Sequence, residues 1–168
     1  MKILDALNDH LQLELQAWYE DSGMALWLEM NDLPGSASFM RIQADEELAH
    51  AQKIIHHLLD RDHMPILPPI DAPTMEFESV KHLFEGVLAA EQKVTKSIEQ
   101  VYRLAEEEDD QPARLLMSWF ITEQVEEEAM ARGILGRINL AGETGPGLLL
   151  VDQELGAGGV PGAMHGPE

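Results

Sequence analysis

Apolar residues recur three and four apart through four long stretches of this chain, the spacing of one buried face on an α-helix. The pattern predicts a first helix over 2–31, closed by "DLPGS", and a second over 36–62. The segment "MPILPPIDAPT" that follows is too rich in proline for regular helix. A third helix is predicted over 76–107 and a fourth over 112–141, with Pro112 suited to a first turn. A short amphipathic piece, 147–155, comes last. The turns after helices one and three are short, so those neighbours should be antiparallel. The proline-rich connector could run the length of a bundle and leave helices two and three parallel. The expected fold is all-α: a four-helix bundle with one long crossover and a short fifth C-terminal helix over 1–155, then a flexible Gly-rich tail over 156–168.

Reading each helix in sevens exposes its buried stripe. Leu4, Leu11, Trp18 and Ala25 form one row of helix one, and Leu7, Glu14, Asp21 and Leu28 the other. Helix two has Met40, Glu47 and Ile54, with His50 beside them. Helix three has Phe77, Phe84, Glu91, Ile98 and Ala105. Helix four has Ala113, Phe120, Glu127, Ile134 and Ala141, with Leu116, Glu123 and Met130 alongside. Each stripe is interrupted near its middle by an acid: Glu14, Glu47, Glu91 or Glu127. In an antiparallel bundle, middles meet middles, so four carboxylates should converge at one level of the core.

A buried carboxylate is costly unless paired or neutralised. The stripes place no Lys or Arg at that level. The four acids therefore either hold protons, since burial and like charge both raise a carboxyl pKa, or hold cations. Glu47-x-x-His50 puts an imidazole on the same helix face as an acid. Carboxylates with a single histidine suit iron(II), manganese or zinc better than a thiophilic ion. Glu-x-x-His alone is a weak signal. Four mid-stripe acids on four helices are a strong one, and they favour a dinuclear metal site.

Composition sharpens this. The formal net charge is −20, which repels phosphate backbones and anionic membranes and attracts cations, although acidity also serves solubility alone. The chain has no cysteine, so disulfides, Cys-zinc sites and iron–sulfur clusters are excluded. The N-terminus lacks the apolar core of a secretory signal, and no run reaches the length of a membrane span. The expectation is a soluble, cytoplasmic protein with no nucleic-acid partner.

Glu14, "EELAH" at 46–50, Glu91, "EQVEEE" at 123–128 and the closing "LAGETGPGLLLVDQEL" together resemble the bacterial non-haem ferritins over 4–155. Such inward-facing carboxylates are the known pattern of ferritin-like di-iron proteins. The resemblance implies a ferroxidase centre: Glu14, Glu47 and His50 holding one iron, Glu47 bridging to a second held with Glu91 and Glu127, and Gln124 hydrogen-bonding near the centre. It implies a third iron site at Glu46, Glu123 and Glu126 with Glu127 shared; the alternative for these is a solvated acidic face. It also implies a twenty-four-subunit cage, with 147–155 at a four-fold axis, Fe²⁺ as substrate, and O₂ or H₂O₂ as oxidant.

Departures separate close relatives. Glu127 is followed three residues later by Met130, so the second Glu-x-x-His of bacterioferritins and rubrerythrin-like oxidases is absent. Leu48 stands where bacterioferritins place a haem methionine, so no haem is expected. Asp21 stands where ferritins usually carry a tyrosine. It either extends the acidic path and holds a transient iron or is a polar contact, while Tyr19 should face elsewhere. Trp119 matches the family. The early fourth helix, with Arg114 and Met117, offers no acid for a three-fold entry channel, which leaves a path through the bundle wall near His10, Glu14 and Asp21. His10 itself reads as a lone surface histidine, and His56, His57 and His63 as surface residues. The rival readings are a non-storing di-iron oxidase or peroxidase and a helical interaction module with solvated acids.

Overall fold

The computed structural model describes residues 2–159. Five helices follow in order: α1 Lys2–Met30, α2 Pro34–Asp60, α3 Val80–Glu107, α4 Gln111–Ala141 and α5 Pro146–Gly156. Among the described residues there is no strand. The expected Gly-rich tail falls, from residue 160 on, outside the described residues.

The first four helices pair as α1 with α2 and α3 with α4, and α1 also packs on α3. Asp32 and Asp109 in the tight turns between paired helices, and Asp62 just after α2, each have positive φ. Aspartate is among the few non-glycine residues that tolerate this conformation. Asp110 then caps α4 by accepting from the Ala113 N–H and meets Arg61 at the end of α2 at 2.6 Å.

The crossover runs along α1, and polar side chains one turn apart hold it there. Asn8 accepts from the Ile66 N–H, Gln12 donates to the Pro69 carbonyl, Gln16 bonds the Asp71 backbone in both directions, and Glu20 accepts from the Thr74 N–H. Contacts from residue 8 to 20 thus match contacts from 66 to 74 in the same order. The chain returns along the bundle, and α2 and α3 run parallel as expected. Gly23 lets the crossover lie close, since a Cβ there would sit 2.9 Å from the Pro73 Cβ.

Two helix starts differ from the sequence reading by two residues or more. α3 begins at Val80 rather than 76, because the Ser79 hydroxyl accepts from the His82 N–H and caps the helix there. Phe77, assigned above to the third stripe, therefore lies in the crossover, edge-on to Trp27. α2 begins at Pro34, two residues early, and has no side-chain cap of its own. Asp152 of α5 supplies it, accepting from the Gly35 and Ser36 N–H groups at 3.1 and 2.7 Å. The carboxylate at that N-terminus also meets the favourable end of the helix dipole.

The apolar core is split. One cluster gathers Met24, Leu28, Phe39, Phe84, Ile134 and Leu155; the other gathers Leu7, Leu11, Ile54, Ile98, Met117 and Phe120. Met117 is wholly buried, as are Gln124 and Ala131 one and two heptads on, whereas Leu116, Glu123 and Met130 are partly exposed. The fourth helix is thus rotated by about one residue from the expected stripe. Between the two clusters lies a polar layer.

Candidate metal centre

The layer contains His10, Glu14, Glu47, His50, Glu91, Gln124 and Glu127, all buried. Each acid sits mid-helix, where the backbone is fully hydrogen-bonded and rigid, so its position is set by helix packing. The four mid-stripe acids are all buried, and the charge of Glu14 acts on Glu47 and Glu91 and that of Glu91 on Glu127.

The tightest set among the described residues is Glu14, Glu47 and His50, whose ligand atoms all lie within 4.8 Å of one another. His50 Nδ1 is 3.5 Å from Glu14 Oε2 and 3.6 Å from Glu47 Oε2. Ligands coordinated at ~2.1 Å sit roughly 3–3.6 Å apart, so these atoms already have the spacing of one coordination sphere. They are too far apart to satisfy one another by good hydrogen bonds.

On the other side, Gln124 donates to Glu91 Oε2 at 2.9 Å and to the Glu91 carbonyl at 3.2 Å. Thr95 Oγ1 lies 3.3 Å from the same amide nitrogen and donates to Glu128 at 2.8 Å. Gln124 is thereby fixed by two neighbours and orients the Glu91 carboxylate. Glu91 and Glu127 are not part of the tight three-residue set; they complete the layer from α3 and α4.

Both oxygens of Glu14 and Oε2 of Glu127 are buried without an aligned hydrogen-bond donor. Native structures rarely leave such acceptors unfilled. An oxygen-rich, imidazole-bearing donor set with unspent lone pairs fits a first-row divalent cation.

The electrostatics divide the layer. Burial pushes the Glu14 pKa up, but contacts with His10 and His50 outweigh it and hold the group below the ordinary carboxylate range. Burial lowers the His50 pKa, and contacts with Glu14 and Glu47 more than reverse this, to about 11. Burial raises Glu47 well above the usual value, despite help from His50. Burial raises Glu91 to about 7, eased by Gln124, and Glu127 to about 8, with the Glu91 charge adding to it. Asp21 is raised well above its ordinary value by burial and by Glu91, Glu127 and Glu20.

His10 corrects the sequence reading. It is wholly buried rather than on the surface, with Nε2 2.8 Å from Glu14 Oε1 and Nδ1 3.0 Å from Ser97 Oγ, edge-on to Phe120. Its position flanks the narrow two-row seam, but a bundle helix buries a wider stripe than that seam. Its one-turn spacing from Glu14 was the available signal. The wall near His10 and Glu14 is also closed: both are 0% exposed.

Glu46, Glu123, Glu126 and Glu127 line a pocket of about 430 Å³ between α2 and α4, together with His50, Trp119 and the end of α5. Glu46 and Glu126 are exposed and Glu123 half-exposed. Among the described residues they enter no ligand-spaced group of three. Trp119 meets His50 edge-on and carries the Lys53 ammonium 4.0 Å from its ring centre. Tyr19 is exposed and stacks on Trp18. His56 is exposed, and His57 and His63 are half-buried.

Comparison with known proteins agrees with the geometry. The ferritin-like domain family matches residues 4–141. A bacterial non-heme ferritin of Staphylococcus saprophyticus is 36% identical over 156 residues, 93% of each chain. That of Escherichia coli O157:H7 is 30% identical over 154 residues, 92% of this chain and 93% of the other. An open pore ferritin from the archaeon Archaeoglobus fulgidus superposes with a TM-score of 0.90 at 34% identity, covering 93% of this chain and 96% of that one.

Proposed function

Because the chain belongs to the ferritin-like family, we propose that it is an iron-storage ferritin that oxidises Fe²⁺ at the carboxylate layer and keeps the ferric product inside a homo-oligomeric cage. Fe²⁺ is substrate and cargo here. Glu14, Glu47 and His50 take one ion. Glu91 and Glu127 take the second, with Glu47 facing both. The observation that carries this reading is the ligand-spaced Glu14–Glu47–His50 set, beside a buried Glu127 carboxylate oxygen with no aligned hydrogen-bond donor.

Two Fe²⁺ ions lose one electron each. With O₂ as acceptor, two electrons and two protons give H₂O₂; with H₂O₂ as acceptor, they give two waters. The carboxylates favour the product, because anionic oxygen donors stabilise the higher charge of Fe³⁺ more than that of Fe²⁺. Protons held by Glu47, Glu91, Glu127 and His50 leave as cations bind, so loading is a proton exchange and weakens in acid. Gln124 keeps Glu91 oriented, and His10 keeps Glu14 oriented. The two core clusters exclude bulk water above and below the layer.

Glu46, Glu123 and Glu126 make the α2–α4 pocket acidic, and we assign them the third iron site, with Glu127 between it and the centre. The family relationship also underlies the proposed cage of twenty-four subunits, the cytoplasmic location, and the absence of haem. No described helix is long and apolar enough to cross a membrane.

The test is to add Fe²⁺ in air to the purified protein, follow ferric absorbance and size the particle. A large shell that retains hundreds of irons supports storage. Rapid oxidation by a small oligomer that retains little iron supports a non-storing oxidase. Neither oxidation nor retention refutes both.

A further inference from the structure

The polar layer has a second approach, on the face opposite the α2–α4 pocket. A cavity of about 380 Å³ opens between α1, α3 and the end of the crossover. Asp21 and Glu91 line it, with Gln16, Glu20, His82 and Lys93 among its other polar residues. Asp21 is only 9% exposed, yet among the described residues it has neither a hydrogen bond nor an ion pair.

Its neighbour Glu20 shows what a merely structural acid looks like here. One Glu20 oxygen accepts from the Thr74 N–H at 2.9 Å and the other from Gln16 at 3.2 Å. Gln16 is further tied to Asp71. These residues build a fixed rim. Lys93 is exposed and pairs with no acid among the described residues. Asp21 alone presents a buried, unspent carboxylate to the cavity. A largely buried carboxylate without a partner is costly, which points to a ligand the chain does not supply.

Asp21 lies seven residues beyond Glu14, two turns or roughly 10 Å along α1. It therefore stands outside the Glu14–Glu47–His50 set. Glu91 lines the cavity and also belongs to the layer. A cation entering from this face meets Asp21 and Glu91 before it can reach Glu14, which is sealed.

We propose that the α1–α3 cavity holds a divalent-cation site at Asp21, shared with Glu91, that receives a hydrated cation from solvent and passes it to the layer. Two carboxylates leave most coordination positions to water, which suits a site that must release its ion. The proposal rests on the ferroxidase reading only for the ion's destination. The existence of the site is tested separately with Mn²⁺, which needs no oxidation.

Loss of the free Mn²⁺ EPR signal counts bound ions on the full chain. The wild type should bind one more ion per subunit than Asp21→Asn. Glu47→Gln, which damages the layer, should keep the Asp21 ion. Manganese anomalous scattering from wild-type crystals should place that ion against the Asp21 carboxylate, a readout that stands even where a variant folds poorly. With Fe²⁺ in air, Asp21→Asn should raise the half-saturating Fe²⁺ concentration about 3–10-fold, with a smaller effect on the maximal rate. Equal Mn²⁺ counts in wild type and Asp21→Asn, or anomalous density confined to the layer and the α2–α4 pocket, overturns the site. An Asp21 ion with no iron oxidation by the wild type keeps the site and refutes the ferroxidase reading instead. An Asp21 ion with unchanged Fe²⁺ half-saturation overturns the transfer role.

Discussion

On the α1–α2 side of the layer, Glu14 lies against two imidazoles, and its charge is held below the ordinary carboxylate range. On the α3–α4 side, Glu91 has only an amide and Glu127 leaves one oxygen without an aligned donor, and both pKa values rise, to about 7 and about 8. The first side carries its own positive charge in His50. The second has none, and burial favours the protonated form of both its acids. Without a cation, the first side sets Glu14 against His50 and leaves Glu47 favouring its proton, whereas both acids of the second side favour theirs. Metal loading should therefore be felt differently in the two halves, although four similar glutamates supply them.

The sharpest contrast is in stability without metal. Glu14→Gln removes the anion that compensates buried His50 and should destabilise the metal-free protein by about 3–5 kcal/mol per subunit. Glu127→Gln removes an acid whose charge is disfavoured by burial, and should stabilise it at pH 8 by about 1–3 kcal/mol. Denaturant unfolding of both variants beside wild type measures this. Equal signs would remove the distinction between the halves.

In the proposed centre Glu47 is shared by both halves, and its loss should be the most damaging to turnover. Glu47→Gln should lower the initial rate of Fe²⁺ oxidation by about 100-fold or more, measured by stopped-flow absorbance. A fall of less than about threefold would show that the halves work without a shared ligand.

The raised pKa values give a pH dependence whose sign is set. A carboxyl with a raised folded pKa binds more protons folded than unfolded, so folding weakens as pH rises. For Glu91 and Glu127 that window runs from about 4.5 to about 7 and about 8, and for His50 from about 6.5 to about 11. Glu14 acts oppositely, but only below its unfolded value of 4.5. Calorimetry of metal-free protein should show Tm falling from pH 5 to pH 8, and the Tm gain on adding Mn²⁺ should grow over the same range. A Glu91→Gln/Glu127→Gln double variant should flatten the metal-free trend.

The supporting side chains should show smaller effects. Gln124→Leu frees Glu91 and should weaken metal binding about 10-fold. Thr95→Val, one step further out, should change it less than about threefold. Metal titrations of the two variants rank them; the reverse ranking would mean that Gln124 does not transmit the support.

Much of this arrangement was legible in the sequence because it depends on helical periodicity. Glu14, Glu47, Glu91 and Glu127 interrupt apolar stripes at matching depth, and a long helix carries that register faithfully. The long crossover was readable from its prolines. What periodicity missed were features fixed by neighbours. His10 sits beside the seam, and only the width of the bundle shows that it is buried against Ser97. The start of α3 depends on the Ser79 cap, and the start of α2 on Asp152 from the far end of the chain. The rotation of α4, which buries Gln124 and leaves Glu123 half-exposed, amounts to about one residue, too small for an apolar pattern to resolve. Asp21 could be placed in the stripe, but only the structure shows that it has no partner and opens onto a cavity.

The central claim is that one buried layer holds two cations, one in each half, sharing Glu47. Anaerobic Fe²⁺ soaks of crystals, with anomalous data at the iron edge, test it most directly. Two strong peaks per subunit are expected in the layer, one among Glu14, Glu47 and His50 and one among Glu47, Glu91 and Glu127. A layer without iron, with peaks only on the exposed acids, would contradict it.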